Sequence, residues 1–258
     1  MKPEHPIVFM PPTRFIRTAL RSWLGRLGYE IYRRPHLPKG ADAFESIRSH
    51  WPEWRPALIL DVGANVGQSH ARLRPLFPAA RLICFEPVPV SFARLEQAIA
   101  SDPLASAYPL ALSDTTGPAW IHAHGSSDQS SMVPAILAAA TRPEERIPIQ
   151  TDTLAAFCTC ASVSHIDLLK IDVEGHEMAV LAGAAPLLAT HSIDFIVVEA
   201  GLMPGNPRFT PLSDLIARLE LEGFWLVGIY EQYGCRYQQG AEFCNALFAL
   251  KSLLTPSD

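Results

Sequence analysis

Residues 57–62, Ala-Leu-Ile-Leu-Asp-Val, form an unbroken apolar run that stops at a glycine turn, and the chain uses the same arrangement repeatedly. A run of this length without alternation suits a strand covered on both faces. A helical stretch near 67–76 follows. Residues 81–86 (RLICFE) form a second buried run, with a helix over 91–101 after it, and residues 107–111 read as a third strand. Segments 118–123 and 147–150 have strand character on either side of a polar loop, GSSDQSS at 125–131. Ile166 to Val173 is a further strand, followed by a helix over 176–189. Ile193 to Glu199 is another, followed by a helix over 210–222. Strands alternating with helices specify an α/β fold with a doubly wound, mostly parallel, Rossmann-like sheet. The chain ends differently. Phe224 to Tyr230 and Ala246 to Lys251 are strands joined through Gly234 and Gly240 with no helical pattern between them, so the last strand is expected to run antiparallel in a hairpin.

Charge divides the chain at about residue 55. Residues 1–55 carry ten Lys/Arg and five Asp/Glu; residues 56–258 carry eleven and 21. We therefore read 1–55 as a basic N-terminal helical arm and linker, and 56–258 as the main domain. Within the arm, residues 13–29 place Phe15, Ile16, Leu20, Trp23, Leu24 and Leu27 at helical spacing with arginines between them. This amphipathic helix is expected to pack on the body, with contact to a membrane surface as the alternative. Residues 34–40 form a Pro/Gly-punctuated linker, and 42–50 a short helix.

The acidic main domain argues against nucleic acid as a partner. No stretch reaches 18 uncharged apolar residues, which excludes a transmembrane helix by pattern, and no secretory signal is readable. The five cysteines form no CxxC pair. They read as reduced thiols of a cytoplasmic protein, and a metal site at Cys158, Cys160 and His165 is disfavoured. Nothing in the sequence fixes the oligomeric state.

The chemistry sits where strands end. The first strand runs into Asp61-Val62-Gly63-Ala64-Asn65-Val66-Gly67, and nineteen residues after Gly67 the second ends in Glu86. In an open α/β sheet, ligands bind outside the carboxyl ends of the strands. An acidic residue at the end of the second strand accepts hydrogen bonds from a ribose diol. These features point to a nucleoside-containing cofactor. The dinucleotide fingerprint G-x-G-x-x-G fails at Asn65 and Gln68, and a phosphate loop lacks its lysine. A D-x-G-x-x-x-G turn suits S-adenosylmethionine, which has no phosphate and presents a carboxylate, an amine and a sulfonium.

Four segments, LDVGANVGQS at 60–69, FEPVP at 85–89, ALSDTTG at 111–117 and LLKIDVEGHE at 168–177, resemble the FkbM-type methyltransferases, S-adenosylmethionine-dependent enzymes of class I. The resemblance extends over about residues 57–251. It implies a seven-stranded sheet with an antiparallel final strand, and O-methylation of hydroxyls on sugars, polyketides and similar metabolites. It also implies that Asp61, Gly63, Ala64, Asn65 and Gly67 line the methionine part of the cofactor, that Glu86 holds the ribose, and that Ser113 and Asp114 lie at the adenine edge. The chain departs from its relatives in two places. Ala155 follows Thr153-Leu154 where they often carry Leu-Asp, and Cys244-Asn245 stands where their final strand often opens with an acid.

Asp172, Glu174, His176 and Glu177 follow the KIDVEG strand, and Glu199 ends the next. Ionisable groups gathered there can shift one another and accept a proton from an acceptor hydroxyl. The expected catalytic residues are Asp172, Glu174, His176 and Glu199. Asp172 holds the donor's amino group or orients the acceptor, and His176 or Glu174 takes the proton. The alternative to a side-chain base is Mg2+ on Asp172, Glu174 and Glu199, which is not the favoured reading. Lys170 reads as a buried charge paired with a carboxylate, Asp167 as structural, and His122 and His124 as solvated. The expected activity is O-methyl transfer to a hydroxyl of a sugar, glycolipid or secondary metabolite. The alternatives are a catalytically lapsed binding module and a nicotinamide-dependent oxidoreductase. Specificity is expected in the arm and in loops 124–146 and 201–209.

Overall fold

The computed structural model describes residues 23–24, 26–27, 40–122, 130–134, 136, 146–234 and 240–254. Most of the 13–29 helix and of the 124–146 loop, with His124, lies outside these residues; Trp23, Leu24 and Arg26 are helical. The described body begins at residue 40.

Seven strands form the main sheet: β1 (Leu58–Val62), β2 (Arg81–Phe85), β3 (Ala105–Tyr108), β7 (Ile166–Ile171), β8 (Ile193–Gly201), β9 (Phe224–Gly234) and β10 (Ala241–Leu250). Their order is β3-β2-β1-β7-β8-β10-β9. Strands β3, β2, β1, β7 and β8 pair in parallel, and β10 runs antiparallel between β8 and β9. The expected sheet and its antiparallel closing strand are present. Periodicity alone did not reveal that β10 inserts between β8 and β9.

The unbroken runs form strands because both faces are covered. All five residues of β1 are buried. On one face, Ile59, Leu168, Phe195, Val197 and Leu247 pack with Ala43, Phe44 and Ile47 of α1 (Ala43–His50) and with Leu73 at the end of α2 (Gln68–Leu73). Residues 43–50, which the charge pattern assigned to the arm, thus contribute to the core of the body. On the other face, Leu60, Leu169, Ile171, Ile196 and Val198 meet α4 (Leu154–Cys160), α5 (Glu177–Gly183), α6 (Ala185–Ala189) and α7 (Leu212–Glu220). Burial of each large side chain contributes about 1.5–3 kcal/mol. Helix α3 (Pro89–Ile99) covers Cys84 with Leu95 and Ile99.

Three differences from the sequence reading have local causes. The strand expected at 107–111 is two strands: Pro109 has no N–H for a ladder, so β3 stops at Tyr108 and β4 (Ala111–Leu112) joins another sheet. The helix expected over 176–189 breaks at Ala184 into α5 and α6, with Pro186 in the first turn of the second. Strands β5 (Gly117–His122) and β6 (Arg146–Asp152) pair antiparallel and form, with β4, a small separate sheet. His122 is buried in β5, contrary to the solvated reading.

Candidate active site

The parallel strands end level with one another. Val62 pairs with Phe85 and with Ile171, and Ile171 pairs with Val198. The residues beside these positions are Asp61, Glu86, Asp172 and Glu199, so the register alone brings four acids to one edge of the sheet. A cavity of about 500 Å3 opens over that edge. The turn after β1 forms part of its wall through Gly63, Ala64 and Asn65. Gly63 has φ +80°, and a Cβ there would sit 1.8 Å from the Asp172 carbonyl oxygen. Only glycine permits this closeness between the β1 turn and the end of β7. Gly67, expected on the ligand, instead starts α2 against Leu95 and Ala98 and does not line the cavity.

Glu86 lines the cavity and is buried. Its Oε2 accepts from the Asn65 N–H at 2.9 Å and its Oε1 from the Val88 N–H at 2.8 Å. Each oxygen keeps a further lone pair for a ligand. Burial raises its pKa to about 7 against the opposing pull of these two N–H groups.

Successive side chains of a strand alternate between faces. Asp61, Lys170, Asp172 and Glu199 therefore share the sheet face of Ile59, Leu168 and Val197. Lys170 Nζ lies 3.1 Å from Asp61 Oδ1 and 3.2 Å from Asp172 Oδ2. Burial alone would lower the lysine; Asp172 and Asp61 outweigh it and raise its pKa. The expected buried ion pair is thus present with two carboxylates. Asp61 lies beneath the cavity rather than on its wall, so its contact with a ligand would run through Lys170. Asp167 caps the start of β1, accepting from the N–H groups of Ala57 and Leu58 at 2.9 and 2.8 Å.

Asp172, Glu174 and Glu199 all line the cavity. Glu174 (φ +54°) and Gly175 (φ +95°) turn the chain sharply after β7. Glu177 holds that turn from below: its Oε1 accepts from Gly175 N–H at 3.0 Å, and its Oε2 from the Thr210 hydroxyl. This carboxylate is structural. Burial, reinforced by Asp172, raises Glu174 to about 7, with Arg208 at 3.5 Å opposing. Burial and the surrounding acids push Glu199 much higher, so it holds its proton at neutral pH. Its Oε2 is buried without a hydrogen-bond partner. Among the described residues, the group of potential metal ligands whose atoms converge within 4.8 Å is His165, Asp167 and Asp194, at the opposite edge of the sheet. Asp172, Glu174 and Glu199 do not converge in that way.

His176 lines the same cavity. Its Nε2 is 2.9 Å from the Ser113 hydroxyl, which also donates to Asp114 at 3.1 Å. Burial lowers its pKa, and Asp114 is the charged group that opposes the shift. The close approach depends on Gly183, where a Cβ would meet the Ser113 carbonyl at 2.0 Å. His176 thus joins the pair expected at the adenine edge while lining the same cavity as Asp172, Glu174 and Glu199. Ser113 and Asp114 reach the cavity only through it, while Leu110, Leu112 and Ile121 make that end apolar.

Sequence reasoning missed Arg72, Tyr233 and Phe243 and marked Asn245 only as a departure from the relatives; all four are on the cavity wall. Arg72 pairs with Asp42 at 3.1 Å and with Glu231, and Asn245 donates to Glu231 at 2.6 Å. The hairpin register brings Glu231 of β9 beside Asn245, a proximity that no sequence pattern shows.

The chain is similar to known methyltransferases. The model of the methyltransferase FkbM domain matches residues 61–225. The 2-O-methyltransferase NoeI of Sinorhizobium fredii is 28% identical over 178 residues, covering 64% of this chain and 72% of its own. The hexuronic acid methyltransferase AglP of Haloferax volcanii is 31% identical over 156 residues, 57% of this chain and 58% of its own. A TehB-like SAM-dependent methyltransferase from Corynebacterium glutamicum aligns over 93% of this chain and all of its own at 18% identity, with a TM-score of 0.39.

Proposed function

Since the chain belongs to the FkbM methyltransferase family, we propose that it transfers a methyl group from S-adenosylmethionine to a hydroxyl of a sugar, glycolipid or secondary metabolite. The name of one relative, a hexuronic acid methyltransferase, supports a sugar-type acceptor, and that of the other, a 2-O-methyltransferase, supports transfer to oxygen. The observation that carries the cofactor assignment is Glu86: a buried carboxylate on the cavity wall, anchored by two backbone N–H groups, with lone pairs left for a diol.

The residues present fit this cofactor. Glu86 suits the ribose, and the apolar surface of Leu110, Leu112 and Ile121 suits the base beside His176. At the other end the unpartnered Glu199 Oε2 leaves a polar group free to meet a ligand. When bound, S-adenosylmethionine supplies a methyl carbon activated by positive sulfur. Asp172, steered by Lys170, holds the ligand's amino group. Glu174 would take the proton of the acceptor hydroxyl, so that its oxygen can receive the methyl group. A base with a pKa near 7 suits this step, and positioning of the two reactants contributes at least as much. Protonated Glu199 donates a hydrogen bond and keeps the acceptor turned toward Glu174. His176 positions the cofactor end.

Calorimetry tests the assignment. S-adenosylhomocysteine should bind and NAD should not. Glu86→Ala should weaken binding by about 1.5–3 kcal/mol, roughly ten- to hundredfold. Unchanged affinity in a folded Glu86→Ala protein would overturn it.

A further inference from the structure

One wall of the cavity is aromatic. Tyr233 and Phe243 are partners across the β9–β10 ladder, their ring centroids 4.9 Å apart and their planes within 25°. Phe243 stacks in turn on Phe209, at 4.8 Å and 17°. Phe209 is held because its loop returns to β8. The Gly201 N–H donates to the Thr210 carbonyl at 2.8 Å, and a Cβ on Gly201 would come within 2.9 Å of Phe209 Cβ. Tyr233 is therefore the outermost ring of a backed three-ring stack, and it is 49% exposed. A ring fixed in this way loses little freedom when a ligand settles on it.

Charge narrows the choice of occupant. The described residues of the wall include Glu86, Asp172, Glu174 and Glu199 against Arg72 and Lys170. Both cations are committed, Lys170 to Asp61 and Asp172, and Arg72 to Asp42 and Glu231. A ligand carboxylate would lose its water in this pocket, lie beside Asp172, and meet no uncommitted cation among the described residues of the wall. An uncharged pyranose meets no such cost. Its axial C–H bonds present weak positive charge to the negative face of an aromatic ring. Its hydroxyls can reach Asn245 and Glu199, which face each other in the β10–β8 register.

We propose that the acceptor is an uncharged sugar ring stacked on Tyr233, with the reacting hydroxyl turned toward Glu174. This assignment rests on the methyltransferase reading and specifies its acceptor. The test pairs methyl and octyl glycosides of neutral hexoses with the same glycosides oxidised to hexuronic acids. Wild type, Tyr233→Phe and Tyr233→Ala are assayed with methyl-labelled S-adenosylmethionine, and S-adenosylhomocysteine affinity is measured on each. Neutral glycosides should be methylated with kcat/KM about tenfold or more above their uronic partners. Tyr233→Ala should raise the acceptor KM about tenfold with kcat and S-adenosylhomocysteine affinity near wild type, and Tyr233→Phe should behave as wild type. Equal or better use of the uronates, an unchanged KM in Tyr233→Ala, or no methylation of any neutral pyranoside by protein that binds S-adenosylhomocysteine would overturn the acceptor assignment. Absence of S-adenosylhomocysteine binding in wild type would overturn the methyltransferase reading together with it, and so marks that failure apart.

Discussion

Lys170 Nζ lies 3.1 Å from Asp61 Oδ1, beneath a cavity whose wall the same lysine helps to form. Asp61 is 1% exposed, and Lys170 is the cation that faces it. The pair connects stability to function, because Lys170 also holds Asp172 at 3.2 Å on the cavity side.

Removing the lysine should therefore cost stability first. Lys170→Met leaves a buried carboxylate without its cation, a loss of about 3–5 kcal/mol. Adding Asp61→Asn should recover much of it, since the uncompensated charge is then gone. Urea unfolding of the two variants checks this. A loss below about 1 kcal/mol in Lys170→Met would show that the pair does not govern the folding of this edge.

Glu86 makes ligand affinity depend on pH. Its pKa lies near 7, and a diol binds the charged form better. Affinity for S-adenosylhomocysteine should fall as pH drops below 7, up to about tenfold per unit where this group alone titrates. The raised value also has a consequence for the free protein. The contribution of Glu86 to folding is complete below the unfolded carboxyl pKa and is lost as pH rises through about 7. Glu86→Gln should flatten both dependences. Calorimetry and denaturant titrations between pH 5 and 8 read them, and an unaltered pH dependence in the variant would contradict the assignment.

Chain proximity decides how much of the site is legible in the sequence. Asp61, Gly63 and Glu86 stand at strand ends, and a buried parallel strand places its end by its own length, so their convergence could be read from spacing. Lys170 within an apolar run required a carboxylate partner, although the sequence could not say which. His176 shows what spacing leaves open. It stands two residues after Glu174, yet the left-handed turn at Glu174 and Gly175 sends it toward Ser113. Arg72, Tyr233 and Asn245 carry no motif. They reach the cavity through helix packing and the β9–β10 register, neither of which leaves a local pattern.

Chelation should leave turnover unchanged. Asp172 is bound to Lys170, and the oxygens of Asp172, Glu174 and Glu199 do not gather as a ligand set in this geometry. Steady-state methyl transfer with and without EDTA decides the point. Loss of activity restored by Mg2+ would require these carboxylates to rearrange around an ion and would remove the need for a side-chain base.

The base itself is tested by separating Glu174 from His176. Glu174 lines the cavity and is held near 7 by burial and Asp172, while His176 is hydrogen-bonded to Ser113 with its pKa lowered. Glu174→Gln should lower kcat by about 10²-fold or more with little change in S-adenosylhomocysteine affinity. With S-adenosylmethionine saturating, so that Glu86 does not contribute, the wild-type profile of kcat/KM for the acceptor should rise through pH 7, and that limb should vanish in Glu174→Gln. His176→Ala should instead weaken cofactor binding and keep the ascending limb. Glu174→Gln also carries a stability signature. A carboxyl whose folded pKa is raised favours the fold below its unfolded pKa and loses that contribution as pH rises through 7. Wild type should therefore gain stability relative to Glu174→Gln on going from pH 8 to pH 5, by about 2–3 kcal/mol. If the limb persists in Glu174→Gln and disappears in His176→Ala, the proton goes to the histidine, and the geometry at Ser113 must change when the acceptor binds.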